Sequence, residues 1–167
     1  WFDLLAGKRD VARATLVEAR AKAITFREIP YYWFQLEMYS GNAAAALAGL
    51  SSEPQAVFEW QFLYLPKTLL QARALALMGQ SEAARRSYDA ARKTIEEKLR
   101  TQPDDDRYCG SLGVAYAGLG RKKEAIEVGK KGMELCPPSK EAWRAAFRQE
   151  DMARIYVMVG EHEQALK

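Results

Sequence analysis

A single histidine, two cysteines and no apolar run long enough to cross a bilayer set the first limits on this 167-residue chain. His162 stands between Glu161 and Glu163, without a second imidazole or a nearby thiol. A zinc or proton-shuttle site needs further ligands at set spacings, so His162 reads as a solvated turn residue. Cys109 and Cys136 lie twenty-seven residues apart with no CxxC pair, which excludes a zinc framework and a disulfide scaffold. Free buried thiols are the expected state, and they fit a reducing compartment, the cytoplasm. A membrane helix needs about 18 consecutive apolar residues, and no such run exists, so no membrane partner is expected.

Neither charge sign dominates. Lys and Arg number 25 against 22 Asp and Glu, a net charge of +3. Nucleic-acid binding needs a dense basic stripe, which is lacking. Residues 1–64 carry six basic and seven acidic side chains, and residues 65–167 carry nineteen and fifteen, as expected of a solvated helix surface. The phosphate-cradling glycine loop is also missing, because Gly118 to Gly120 (G-L-G) closes a helix and does not open one. Glu96-Glu97 and Asp104-Asp105-Asp106 are adjacent in sequence, on a helix surface and at a helix start, where acids complement the helix dipole. Ser111 has no base partner in view. No catalytic residue, cofactor or metal site is expected, and the chain does not read as an enzyme.

What the chain does have is a period. Glycines recur at Gly7, Gly41, Gly79, Gly120 and Gly160, spaced by 34, 38, 41 and 40 residues. Five residues after each stands an alanine: Ala12, Ala46, Ala84, Ala125 and Ala165. A tight turn between helices wants glycine with positive φ just past the helix end. The next helix must then approach closely, and a methyl side chain permits it. Seven residues before the last four glycines are Phe34, Ala72, Gly113 and Ala153, mostly small; four before are Glu37, Leu75, Tyr116 and Tyr156. Glu37 and Glu53 make the second unit the least regular.

The residues Leu112, Gly113, Tyr116, Gly120, Ala125 and Pro137, in a unit of 34 from Asp106 to Ser139, resemble the tetratricopeptide repeat. The unit departs from that pattern in its second helix, where Gly129 and Gly132 stand in place of a large aromatic and an alanine. The resemblance implies an all-α fold: a right-handed superhelical solenoid of antiparallel helix pairs, about four and a half repeats, truncated at both ends. The whole chain, 1–167, forms one repeat domain, with units near 1–26 (partial), 27–64 (irregular), 65–105, 106–145 and 146–167 (partial). Both ends fall within a repeat, so more chain is expected on either side. The runs Phe62 to Lys67 (F-L-Y-L-P-K) and Pro137 to Glu141 (P-P-S-K-E) look like repeat regions of bacterial signalling proteins.

Helices are expected over Trp1–Ala6, Arg9–Ile24, Pro30–Ser40, Asn42–Leu50, Lys67–Met78 and Glu82–Thr101, then in the motif unit and after an insertion around Trp143–Gln149. The run Val57–Leu65 (V-F-E-W-Q-F-L-Y-L) alternates like a strand. A lone strand among helices has nowhere to pair, so a helical turn or packed loop ending at Pro66 is the preferred reading.

The resemblance implies that the first helix of each unit lines a concave groove for another protein or peptide. Carried over by register, the groove residues are Tyr31, Gln35, Met38, Leu69, Arg73, Arg107, Val114 and Arg154. Arg73, Arg107 and Arg154 come from successive units and would suit carboxylates of an acidic peptide. The alternative is that each pairs locally, as Arg154 would with Glu150. Twelve of the eighteen aromatic residues fall within 1–65. Neighbours on a helix point about 100° apart, so the runs at Tyr31–Phe34 and Phe58–Tyr64 either fill space around an irregular unit or form a docking surface. The expected function is a protein-interaction module. A regulatory or self-association arm of a larger protein, and small-molecule capture near Trp33 and Trp60, are the alternatives.

Overall fold

The computed structural model describes residues 2–22 and 26–166; Trp1 and the expected helix end at Ile24 lie outside them. The chain is mostly helical, with one two-stranded sheet among the described residues. Its elements run α1 (Phe2–Leu5), α2 (Arg9–Ala21), α3 (Ile29–Tyr39), α4 (Ala43–Ser52), β1 (Val57–Trp60), β2 (Leu63–Pro66), α5 (Lys67–Leu77), α6 (Ser81–Thr101), α7 (Asp106–Gly118), α8 (Lys122–Leu135), α9 (Ala142–Met158) and α10 (His162–Ala165).

One local device repeats five times. Gly7, Gly41, Gly79, Gly120 and Gly160 all adopt φ between +72° and +80°. The following residue then donates its backbone N–H to the carbonyl five positions back. These bonds are Lys8 to Asp3, Asn42 to Glu37, Gln80 to Leu75, Arg121 to Tyr116 and Glu161 to Tyr156, all at 2.8–2.9 Å. This closure satisfies carbonyls that the helix end would leave unpaired, and it needs a left-handed residue that only glycine adopts without strain. Each next helix begins two residues after its glycine. Ala12, Ala46, Ala84 and Ala125 are buried where the paired helices meet.

Helices contact their chain neighbours, and α7 also touches α5 and α9. Three glycines of α7 make these contacts possible. A Cβ on Gly110 would collide with Asp151, on Gly113 with Ile155, and on Gly118 with Tyr88. Gly129 and Gly132 of α8 serve the same purpose. A Cβ on Gly132 would come within 3.2 Å of Cys109 Cβ and 3.3 Å of the Asp106 carbonyl oxygen. Their cost in helix propensity, roughly 1 kcal/mol each, is offset by close approach of α8 to α7 and α9.

The main core runs from α3 to α9 and includes the strands. Leu4, Ala12 and Leu36 form a separate small cluster that joins α1 and α2 to α3. Glu37, the residue that breaks the repeat pattern, belongs to this junction. It accepts a 2.6 Å bond from Arg13 Nη1 of α2 and a 3.2 Å bond from Asn42 Nδ2.

Two expectations need correction. Residues 57–66 form neither a helical turn nor a loop: β1 and β2 pair antiparallel, with Val57 opposite Pro66 and Trp60 opposite Leu63. The strand finds its partner by folding back on itself through Gln61 and Phe62. The fold is thus helical with an inserted hairpin, and the expected unit boundary at 64/65 falls inside β2. The expected insertion at Trp143–Gln149 is also helical, adding two turns to the front of α9, so the boundary at 145/146 falls inside that helix.

Candidate functional site

The hairpin lies across the N-terminal parts of α3, α7 and α9 and is held there by its own carbonyls. Arg107 Nη1 donates to the Trp60 carbonyl at 2.8 Å, Arg148 Nη2 donates to that of Phe62 at 3.0 Å, and Ser111 Oγ donates to that of Tyr64. Rings add to the anchoring. Phe62 stacks on Phe147 with centroids 5.3 Å apart, Tyr64 meets Tyr108 edge-on at 4.5 Å, and Trp60 meets Tyr31 at 5.1 Å. Such pairs stabilise by about 0.5–1.5 kcal/mol beyond area burial.

Beneath β2 lies a cleft of about 20 Å³ lined by Tyr31, Leu69, Arg73, Val114 and Arg154, five of the eight expected groove residues. Gln35 is joined to them: its Nε2 donates to the Tyr31 hydroxyl at 3.0 Å, and its Oε1 accepts from Arg73 at 3.3 Å. The register therefore brings six of the expected residues together. The cleft has room for about one water, not a peptide, because Leu63 and Leu65 of the hairpin close over it. Met38 and Arg107 do not line it. Met38 packs against the main core, and Arg107 holds Asp105 at 2.7 Å and Glu59 at 3.3 Å.

The three arginines consequently do not form a free cationic wall. Arg73 sits over the Phe34 ring at 5.5 Å, and burial, followed by the nearby Arg154 charge, lowers its pKa to about 10. Arg154 donates to Glu150 at 2.6 Å, the local pairing that helical spacing allows.

A buried ionic network missed in the sequence reading supports the hairpin from below. Asp106 accepts from Arg144 Nε at 3.1 Å and from Arg148 Nη1 at 3.3 Å; Arg148 Nη2 also lies 3.0 Å from Asp151 Oδ2. Arg148 is only 2 % exposed. Burial raises the Asp151 carboxyl above its ordinary range against the opposing pull of Arg148. A signal was present, since Arg148 continues the buried stripe Ala145, Met152, Ile155 at helical spacing. A charge on such a stripe is buried, and a buried charge needs partners.

An open trough of about 590 Å³ lies on the other side of the hairpin turn. Its walls are α2 (Thr15, Leu16, Ala19), the entry to α3 (Phe26, Glu28, Ile29, Tyr31, Tyr32), the hairpin (Trp60, Phe62, Leu63) and α9 (Trp143, Phe147). Trp143 is 50 % exposed and Phe26 is 68 % exposed. The aromatic-rich stretches are thus divided: Phe34, Phe58 and Tyr64 fill the core, Tyr31 is buried between the cleft and the trough, and Tyr32, Trp60 and Phe62 line the trough. Phe26 joins them from just before α3, and Trp143 and Phe147 from far along the chain. Trp33 lines a different cavity, of about 340 Å³, with Pro30, Glu37 and Leu50, so it shares no pocket with Trp60.

His162 is exposed on α10, and both cysteines are buried and unpaired. Burial raises the Cys109 thiol to about 11. Among the described residues no group of three or more His, Cys, Asp or Glu is placed to hold a metal, and no helix is long and apolar enough to cross a membrane. Comparison with protein-family models, with curated proteins and with solved structures finds no match to the chain.

Proposed function

We propose that the chain is a protein-interaction module of tetratricopeptide type, a right-handed stack of about four and a half helix pairs that takes up a segment of another protein. The five identical glycine closures and the buried alanines that follow four of them support the repeat reading. So does the contact of α7 with both α5 and α9, the first helices of the neighbouring pairs.

The observation that carries the binding reading is the aromatic trough. Ligand clefts are typically about 300–1,000 Å³, largely apolar, with few polar groups, and at about 590 Å³ with seven aromatic residues in its walls the trough fits that description. Tyr and Trp are favoured anchors because they bury much area for few rotatable bonds. The segment is received beside the hairpin and not beneath it, since β2 fills the face from which Tyr31, Leu69, Arg73 and Val114 project. Selection of a random displayed-peptide library on the chain tests this. Enriched peptides should lose binding to a Trp143→Ala variant and keep binding to a Lys93→Ala variant on the far helix α6. A library that yields no enrichment, or peptides indifferent to Trp143, overturns the reading.

A further inference from the structure

The walls of the trough contain seven aromatic residues and one charged side chain, Glu28. The rings form two contact groups that meet at the hairpin through Trp60 and Phe62. Tyr31 meets Tyr32 at 5.9 Å and Trp60 at 5.1 Å on the α3 side. Phe62, Trp143 and Phe147 meet one another at 5.3–6.4 Å on the α9 side. Aromatic faces carry partial negative charge and attract a desolvated cation placed within about 6 Å. The single formal charge has the same sign as those faces. Its carboxylate lies close enough to Tyr32 that, after burial, it is the cause that raises the pKa of that phenol. The buried cations nearby are turned elsewhere: Arg73 and Arg154 line the cleft beneath β2, where they act on Tyr31, and Arg148 is committed to Asp106, Asp151 and the Phe62 carbonyl. Among the described residues no cationic side chain lines the trough.

An acidic ligand is therefore disfavoured there, and an apolar body carrying one positive group is matched on both counts. We infer that the segment bound in the trough presents a lysine-type ammonium group between the two ring clusters, facing Glu28, with apolar residues on either side of it. This rests on the reading of the chain as a segment-binding module, and it reverses the preference for an acidic partner that the arginine register suggested.

Glu28 precedes α3 without making a side-chain capping bond, so the start of α3 does not depend on its carboxylate. The test follows tryptophan fluorescence of the whole chain during titration with two short peptides, Ac-Ala-Leu-Lys-Leu-Ala-NH2 and its norleucine counterpart, and with choline. Trp60 and Trp143 in the walls report occupancy. The lysine peptide should bind about tenfold more tightly than the norleucine peptide. That preference should fall several-fold in Glu28→Gln and in Trp143→Leu, with unchanged circular dichroism. Equal binding of the two peptides overturns the cation inference while leaving the segment-binding function standing. Binding of choline without either peptide overturns the peptide source and, with it, the proposed function. Failure of all three probes overturns both readings.

Discussion

Arg148 Nη2 lies 3.0 Å from the carbonyl oxygen of Phe62, a contact that joins residues 86 positions apart and fixes the turn of the hairpin to α9. The same guanidinium reaches Asp106 at 3.3 Å and Asp151 at 3.0 Å. One buried side chain therefore serves a strand turn and two helices.

Replacing Arg148 by Met removes the cation and leaves Asp106 and Asp151 buried with less compensation. Losing one partner of a buried ion pair costs about 3–5 kcal/mol. Chemical denaturation of Arg148→Met should show a loss in that range, and Asp151→Asn in the same background should recover part of it. A variant as stable as the parent would mean that the network is solvated.

Gly113 meets Ile155 of α9 and, at 3.2 Å for an added Cβ, the Ala125 carbonyl oxygen. Gly113→Leu should destabilise the fold by about 1–3 kcal/mol through overpacking, read as a lower urea midpoint. The backbone neighbour cannot move aside as a side chain end could, so an unchanged midpoint would contradict the packing of α7 on α8 and α9.

The junction between α2 and α3 should be sensitive to acid. The hydrogen bond from Arg13 holds the Glu37 carboxyl below its ordinary value of 4.5. A depressed carboxyl contributes stability that is complete above the unfolded-state pKa and is lost as pH falls through the folded value. The stability difference between the parent and Glu37→Gln should be full at neutral pH and should close below pH 4.5. A difference that does not change with pH would remove the ion pair from the account. Asp151 has the opposite sign: burial raises it, so its ionisation weakens the fold as pH rises above its unfolded value.

Cys109 is buried and its thiol is held at about 11. Since the thiolate is the reactive form, an alkylating reagent at neutral pH should label Cys109 only after denaturant is added. Mass spectrometry showing rapid labelling of Cys109 in the native chain would place it at the surface.

The recurring helix closure could be seen in the sequence because its signal is local. A helix end closed with a left-handed residue demands glycine at one position, and Gly7 to Gly160 meet that demand five times. The same register brought Tyr31, Gln35, Leu69, Arg73, Val114 and Arg154 together. The hairpin was missed because its turn residues, Gln61 and Phe62, are not the Asn-Gly or Asp-Gly pairs that mark two-residue turns. Both of its strands were also hidden within one aromatic run. The trough was missed for a different reason. Phe26 and Trp143 are brought to one trough by tertiary packing over more than a hundred residues, and no local pattern encodes that. Arg107 was assigned to the groove by register alone, without allowance for a neighbouring element that would claim its donors.

The hairpin also changes how such a chain can come apart. In stacks whose helix pairs touch only their neighbours, terminal pairs can fray one at a time. Here Phe62 is stacked against Phe147 and Trp60 meets Tyr31 edge-on, so α9 and α3 are tied through one ten-residue hairpin. Opening the C-terminal pair must first withdraw Phe62 and break the Arg148 bond. Amide hydrogens of α9 should then exchange together with those of α3 and α7, and the molecule should open as a single cooperative unit, not pair by pair.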